Sequence, residues 1–226
     1  MACIYPALPR NAYFGGMNAS LPTYTVERTE IHEHLFPNWQ PATILRDFSS
    51  PWLEVEDTGT TFRALHDGVY LYFRFDVQES NILIYEKDHT KFDVLNSERV
   101  EIFFRQDPEL KRYYGLEMDP LGRVYDYQSS YYRQSDKTWG WPEGHLNLKT
   151  GRTPTGYWLQ GEISFESLRS LQLIHEERYL QAGLYRGRCL NIRGDKATFN
   201  WITWVDPQTE TPDFHVPASF GQLELG

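Results

Sequence analysis

Cysteine is scarce in this 226-residue chain: two residues, Cys3 and Cys189, near opposite ends. A pair so far apart, with one member at a terminus prone to fraying, excludes a disulfide framework, and both are read as free thiols. No apolar run approaches the ~18 residues of a membrane span. The opening MACIYPALPRNAYFGG has neither a basic n-region nor an uninterrupted apolar stretch, so no leader is expected in it. Positive charge is sparse as well, 22 Lys and Arg against 31 Asp and Glu for a net charge of −9, with no basic cluster. That field disfavours nucleic acid and anionic membranes and leaves a neutral ligand unpenalised. There is no GxSxG, CxxC, phosphate loop or dinucleotide fingerprint, and no Ser or Cys nucleophile has a recognisable partner.

Aromatic residues are plentiful: 15 Tyr, 13 Phe and 7 Trp make up 15% of the chain. Rings pack well on a pleated surface, so this composition points to strands. It also suits sites that stack flat ligands. Residues 60–77 read as two strands around a tight turn, TTFRAL, then HDG, then VYLYFRFDV, with Asp67-Gly68 supplying the turn. Val69, Leu71, Phe73, Phe75 and Val77 alternate with Tyr70, Tyr72, Arg74 and Asp76, the period of a strand with one core face. Further strands are expected at ERVEIFFR (98–105), in a hairpin over RYYGLEMDPLGRVYDYQ, and at LNLKT, TGYWLQGEIS, YLQAGLYRGRCL, FNWITWV and GQLEL. Only FESLRSLQLI (165–174) has helical spacing. The fold class is therefore all-β: an antiparallel β-sandwich of jelly-roll or immunoglobulin-like type with one short helix. Residues 1–35 are expected to form an irregular N-terminal arm, and residues 36–226 one sandwich domain.

Several residues invite chemistry. Glu117 and Asp119 share a strand face, as glycosidase carboxylates do, but a turn follows where a third acid would stand, so a turn-flanking pair is the simpler reading. Glu98 and Glu101, three apart, point to opposite faces, and whichever faces inward must meet an Arg, a hydroxyl or a ligand. His32-Glu33-His34 could chelate a metal, yet no third ligand is spaced to join it, and surface histidines are the plainer account. In YDYQSSYYRQSDKTWGWPEG (125–144), Trp139 and Trp141 would share a face if extended. They serve either as a stacking platform for sugar rings or as anchors pinning a long crossover to the sandwich.

Five segments, in order, resemble the family 9 carbohydrate-binding modules and their wider DOMON-like relatives. They are TTFRALHDGVYLYFRFDV, SERVEIFF, RYYGLEMDPLG, GYWLQGEISFESL and TWVDPQTETPDFHVPASFGQLEL. The resemblance implies a calcium-bearing β-sandwich, with no other cofactor, that binds the end of an oligosaccharide or polysaccharide between two aromatic side chains without catalysis. It also implies an extracellular or periplasmic setting. Carried over residue by residue, the family's glutamate falls on Glu101 and its late tryptophan on Trp204, with Asp206 following. The partner tryptophan's position is Leu95, so Phe92, Tyr85 or a ring of the 125–141 stretch would have to substitute. The family's arginine has no counterpart at 115–117, with Arg99, Arg112 and Arg186 nearby in pattern. The expected sugar-binding set is thus Trp204, Glu101, Asp206, Phe92, Trp139 and Trp141. Alternative readings are a glycoside-processing enzyme on the same fold or a haem or interaction domain. For haem only His215 sits in a family-typical motif, and it is read as a structural hydrogen-bonder.

Overall fold

A computed structural model of the chain describes residues 21–30, 36–53 and 58–226. His32, Glu33, His34 and the first twenty residues of the expected arm lie outside the described residues. Within that arm, however, Thr23–Arg28 forms strand β1, because TYTVER alternates and buries Tyr24 and Val26. The arm expectation is corrected there: the sandwich begins before residue 36.

The hairpin over the Asp67-Gly68 turn is present as β2 (Thr60–His66) and β3 (Tyr70–Gln78), paired antiparallel. Asp67 Oδ1 accepts the Val69 and Tyr70 amides at 2.8 and 2.7 Å, and Gly68 takes φ of 88°, a region costly for other residues. The chain continues through β4 (Arg99–Arg105), β5 (Tyr113–Met118), β6 (Val124–Ser130), β7 (Gln134–Asp136), β8 (Leu146–Thr153) and β9 (Gly156–Ser164). Then come the helix α1 (Phe165–Ser170), β10 (Ile174–His175), β11 (Tyr179–Arg193), β12 (Lys196–Thr203) and β13 (Gly221–Leu225). Ser164 caps α1 by accepting the Ser167 amide at 3.0 Å, which fixes the helix start where the expected 165–174 segment begins.

Strand order is β7-β6-β5-β4-β11-β13-β1-β2-β3-β9-β8, with β10 and β12 also on β11. β1 joins the two sheets: Thr23–Val26 pairs with β13, and Glu27 and Arg28 pair with β2, both parallel. All other strand pairings are antiparallel. The main core lies between the sheets, with Phe62, Phe73, Phe75 and Leu159 facing Val100, Ile102, Phe104, Leu116 and Leu184. Val69, expected on the core face, is 59% exposed because it sits in the turn before β3.

β4 is buried along its whole length, RVEIFFR, because it is covered on both faces. Its even residues enter the main core, while Phe103 joins Tyr113, Tyr125, Tyr127, Tyr185, Phe214 and Phe220 in a second, aromatic cluster on the outer side. A polar clasp closes one end of the main core. Arg186, fully buried, bonds Glu98 at 2.7 Å, the Thr58 carbonyl at 2.8 Å and Thr60 Oγ1 at 3.3 Å, and meets Glu79 at 3.3 Å. No helix among the described residues is long and apolar enough to cross a membrane.

Candidate functional site

On the outer face of the β4 sheet a cavity of about 330 Å³ opens beside the aromatic cluster. Strand register builds its floor. Glu101 of β4 stands directly opposite Glu117 of β5, and Glu117 opposite Tyr125 of β6. Gly115 faces Tyr127, whose ring crosses so closely that a Cβ at 115 would lie 2.4 Å from it. Gly187 of β11 is registered between Arg99 and Trp201. Without a side chain at 187, guanidinium and indole meet above it, Arg99 lying 5.1 Å from the Trp201 ring centre and 4.8 Å from that of Phe199.

Arg99 is the hub. Its Nε–H donates to Glu101 Oε1 at 2.8 Å, and Glu117 Oε2 lies 2.7 Å from the same nitrogen. One N–H cannot point at both oxygens, and Glu117 Oε2 has no well-aligned hydrogen bond despite the short ionic contact. Nη1 donates to the Leu95 carbonyl at 3.2 Å, which ties down the wall residue. One guanidinium thus faces two buried carboxylates. Burial raises the Glu101 carboxyl above its ordinary range, with Glu117 adding to the rise and Arg99 opposing it. Burial raises Glu117 likewise against Arg99. Burial also keeps the Tyr125 phenol up at about 12, with help from Glu117 and Asp126.

The walls are Leu95, half-buried Trp201 and Phe214. Trp201 leans on Phe214 edge-on at 5.7 Å, and Phe214 stacks on Tyr185 at 4.1 Å, so the indole is braced from behind. At the rim Asp213 accepts from the Tyr132 hydroxyl at 2.5 Å and from Arg133 Nη2 at 2.8 Å. Burial and then Arg133 push the His215 imidazole down to about 4, so it is neutral at pH 7. Its Nδ1 lies 2.8 Å from the Tyr113 hydroxyl, the hydrogen-bonding role expected of it.

The structure brings only part of the expected set to this cavity. Glu101 lines it, as does Leu95. Phe92, 46% exposed, is not a lining residue but packs at 5.7 Å on Tyr125, which is. Trp204 lies in the main core, 7% exposed, its ring over Gly221. Asp206 closes a local turn by accepting the Gln208 amide at 2.7 Å, away from the cavity lining. Trp141 is buried with Nε1 donating to Ser167 at 3.2 Å, and Trp139 packs on Tyr114 at 5.0 Å, the geometry of anchors for the crossover. Of the arginines, Arg99 lines the cavity, Arg186 is in the core clasp, and Arg112 bonds Gln128 at the surface. Trp201 and Phe214 were not singled out from the sequence, whereas Glu117 and Arg99 were named on other grounds and Tyr125 and Tyr127 belong to the 125–141 stretch offered as a source of substitute rings. Trp201 was findable: in FNWITW two tryptophans three apart must face opposite ways on a strand.

Likeness to solved structures supports the fold. A candidate carbohydrate-binding protein from Bacteroides uniformis superposes with a TM-score of 0.68 at 16% identity, covering 92% of this chain and 100% of that one. A family 9 carbohydrate-binding module from Caldicellulosiruptor kristjanssonii in complex with cellotriose gives 0.57 at 14% identity over 90% and 93% of the two chains. The module from the same organism in complex with glucose gives 0.54 at 17% identity over 91% and 96%. No curated protein matches the sequence significantly. The model of the family described as carbohydrate family 9 binding domain-like matches residues 32–226, and the chain belongs to that family.

Proposed function

We propose that the protein binds carbohydrate, without catalysis, in the cavity walled by Leu95, Trp201 and Phe214. The observation that carries this is the pairing of a braced, half-exposed indole with two registered, buried carboxylates on one floor. Sugars present C–H faces that pack on indole and hydroxyls that donate to carboxylates. The lining sets three basic side chains, Arg99, Arg133 and Lys137, against three acidic ones, Glu101, Glu117 and Asp213, so it carries no large charge of one sign, which suits a neutral sugar. Both floor carboxylates close on the same Arg99 nitrogen rather than flanking a space for a scissile bond, which favours holding over hydrolysis. The two related modules with cellotriose and glucose support a glucose-based ligand.

At about 0.3 kcal/mol per heavy atom, a disaccharide of ~23 atoms would bind near ~10 μM, and a monosaccharide in the millimolar range. Titration with glucose, cellobiose and cellotriose, followed by tryptophan fluorescence and calorimetry, tests this. Trp201→Ala should weaken the best ligand by ~1–2 kcal/mol through loss of the stacked face. A folded protein that responds to no sugar in a broad panel would overturn the reading.

A further inference from the structure

The loop from Glu79 to Glu98 carries the wall residue Leu95 and its neighbour Phe92, and it has almost no regular structure beyond a 3-10 turn at Lys91–Asn96. Polar contacts shape it. Asp93 accepts the amides of Lys87, Asp88 and His89 at 3.0, 3.4 and 3.0 Å, and Ser97 Oγ accepts the Tyr85 amide at 2.9 Å. Across from it, in the β5–β6 turn, Asp119 accepts the amides of Leu121 and Arg123, both at 3.0 Å. The Arg123 guanidinium fills the space between. Nε and Nη2 contact Asp119 Oδ2 at 2.7 and 2.6 Å, and Nη2 reaches the Tyr85 carbonyl at 2.8 Å and Ser97 Oγ at 3.4 Å. Nη1 lies 3.6 Å from Asp93 Oδ2.

Two carboxylates, a carbonyl and a hydroxyl are the hard oxygen donors that calcium takes. Here the cage holds a cation already, and both its carboxylates are out of solvent, Asp119 at 0% and Asp93 at 3% side-chain exposure. Among the described residues no group of three or more His, Cys, Asp or Glu is placed to hold a metal ion. The structural calcium implied by the family resemblance therefore does not fit at this edge of the sheet.

We propose that Arg123 is a built-in cation which does the work of a structural metal here, ordering the 79–98 loop and so positioning Leu95 at the cavity. The planar fork suits the task, since it reaches several oxygens in fixed directions where a lysine offers a point charge. The loop is then hung between two arginines: Arg123 holds Tyr85, Asp93 and Ser97, and Arg99 holds the Leu95 carbonyl. Arg123 is not among the residues lining the cavity and is a positioning residue.

The sugar-binding arm of the test rests on the function proposed above; the other arms do not. Amide exchange of residues 83–97 and thermal unfolding are measured for the wild type, Arg123→Lys and Arg123→Ala, each with EDTA and with millimolar calcium chloride. Wild-type loop protection should be the same in both conditions. Exchange in Arg123→Ala should speed up about tenfold or more, with Arg123→Lys between. Calcium, offered an emptied oxygen cage, should raise the unfolding temperature of Arg123→Ala more than that of the wild type. Sugar affinity should fall several-fold in Arg123→Ala and less in Arg123→Lys. Loop protection that EDTA reduces in the wild type, or that survives in Arg123→Ala, would overturn the proposal. Binding of no sugar by any of the proteins would sink the functional reading while leaving the exchange and calcium results to decide this one.

Discussion

Glu101 and Glu117 sit opposite one another in the β4–β5 register and contact the same Arg99 nitrogen, leaving one guanidinium to two carboxylates on a nearly solvent-free cavity floor. Burial raises both carboxyls above their usual range. The folded state therefore keeps protons that the unfolded chain has already released, so this pair's contribution to stability is largest in acid and declines as pH rises through the raised titration. Glu101→Gln removes one of the two charges and leaves Arg99 paired with Glu117. It should unfold at higher urea than the wild type at pH 8, by about 1 kcal/mol or more, one pKa unit being worth ~1.4 kcal/mol. The advantage should vanish near pH 4. Sugar affinity should move the opposite way, falling because an amide accepts more weakly from a hydroxyl than a carboxylate does. Urea unfolding at the two pH values, beside one sugar titration, checks both signs. A wild type more stable than the variant at pH 8 would mean that Arg99 compensates both charges fully.

At the scale of the element, β12 shows what a two-residue period decides. Trp201 faces the cavity and Ile202 the main core; Trp204, just past the strand end, falls on the core side with Ile202. Trp204→Ala should cost ~3–5 kcal/mol of stability, the range for emptying a packed aromatic site. Any loss of sugar affinity should then follow only from unfolding. Denaturant unfolding of Trp204→Ala and Trp201→Ala separates the two, since the second should lose binding and little stability. The family resemblance pointed to Trp204, the member of this tryptophan pair that faces the core, although the same parity argument that split Glu98 from Glu101 was available. Elements joined by local turns, such as β2 and β3, were legible because alternation and Asp67-Gly68 lie in one short stretch. β1 was not, because its partners are the last strand and β2, and a six-residue strand set among Pro, Gly and Asn carries too little pattern alone. The cavity floor was half legible: Glu101 stood out in VEIF, while Glu117 gained its meaning only from a register that placed it opposite.

The whole molecule is held at one end by a contact that spans its two sheets. The sequence required that an inward-facing Glu98 meet a partner, but the partner, Arg186, lies 88 residues away on β11, and nothing local announces it. Glu98 also accepts the Cys189 amide at 2.8 Å and the Tyr157 hydroxyl at 3.2 Å, and Glu79 has Arg188 at 2.6 Å. Burial pushes the Glu98 carboxyl up, with the Glu79 charge adding to the rise, and Arg186 is the chief force against it. Arg186→Leu should therefore cost about 3–5 kcal/mol at neutral pH, the penalty for leaving a buried charge without its counter-ion. Part of that loss should be absent at pH 4–5, because Glu98 can take up a proton there and Leu is then a tolerable neighbour. Adding Glu98→Gln to Arg186→Leu should recover much of the neutral-pH loss, since the uncompensated charge is gone, the Cys189 amide still finds the glutamine oxygen and the Tyr157 hydroxyl can turn to accept from the glutamine NH2. Urea unfolding of the single and double variants at acid and neutral pH tests the argument. Equal losses in both variants at both pH values would show that Arg186 stabilises through packing between the sheets and not through its charge.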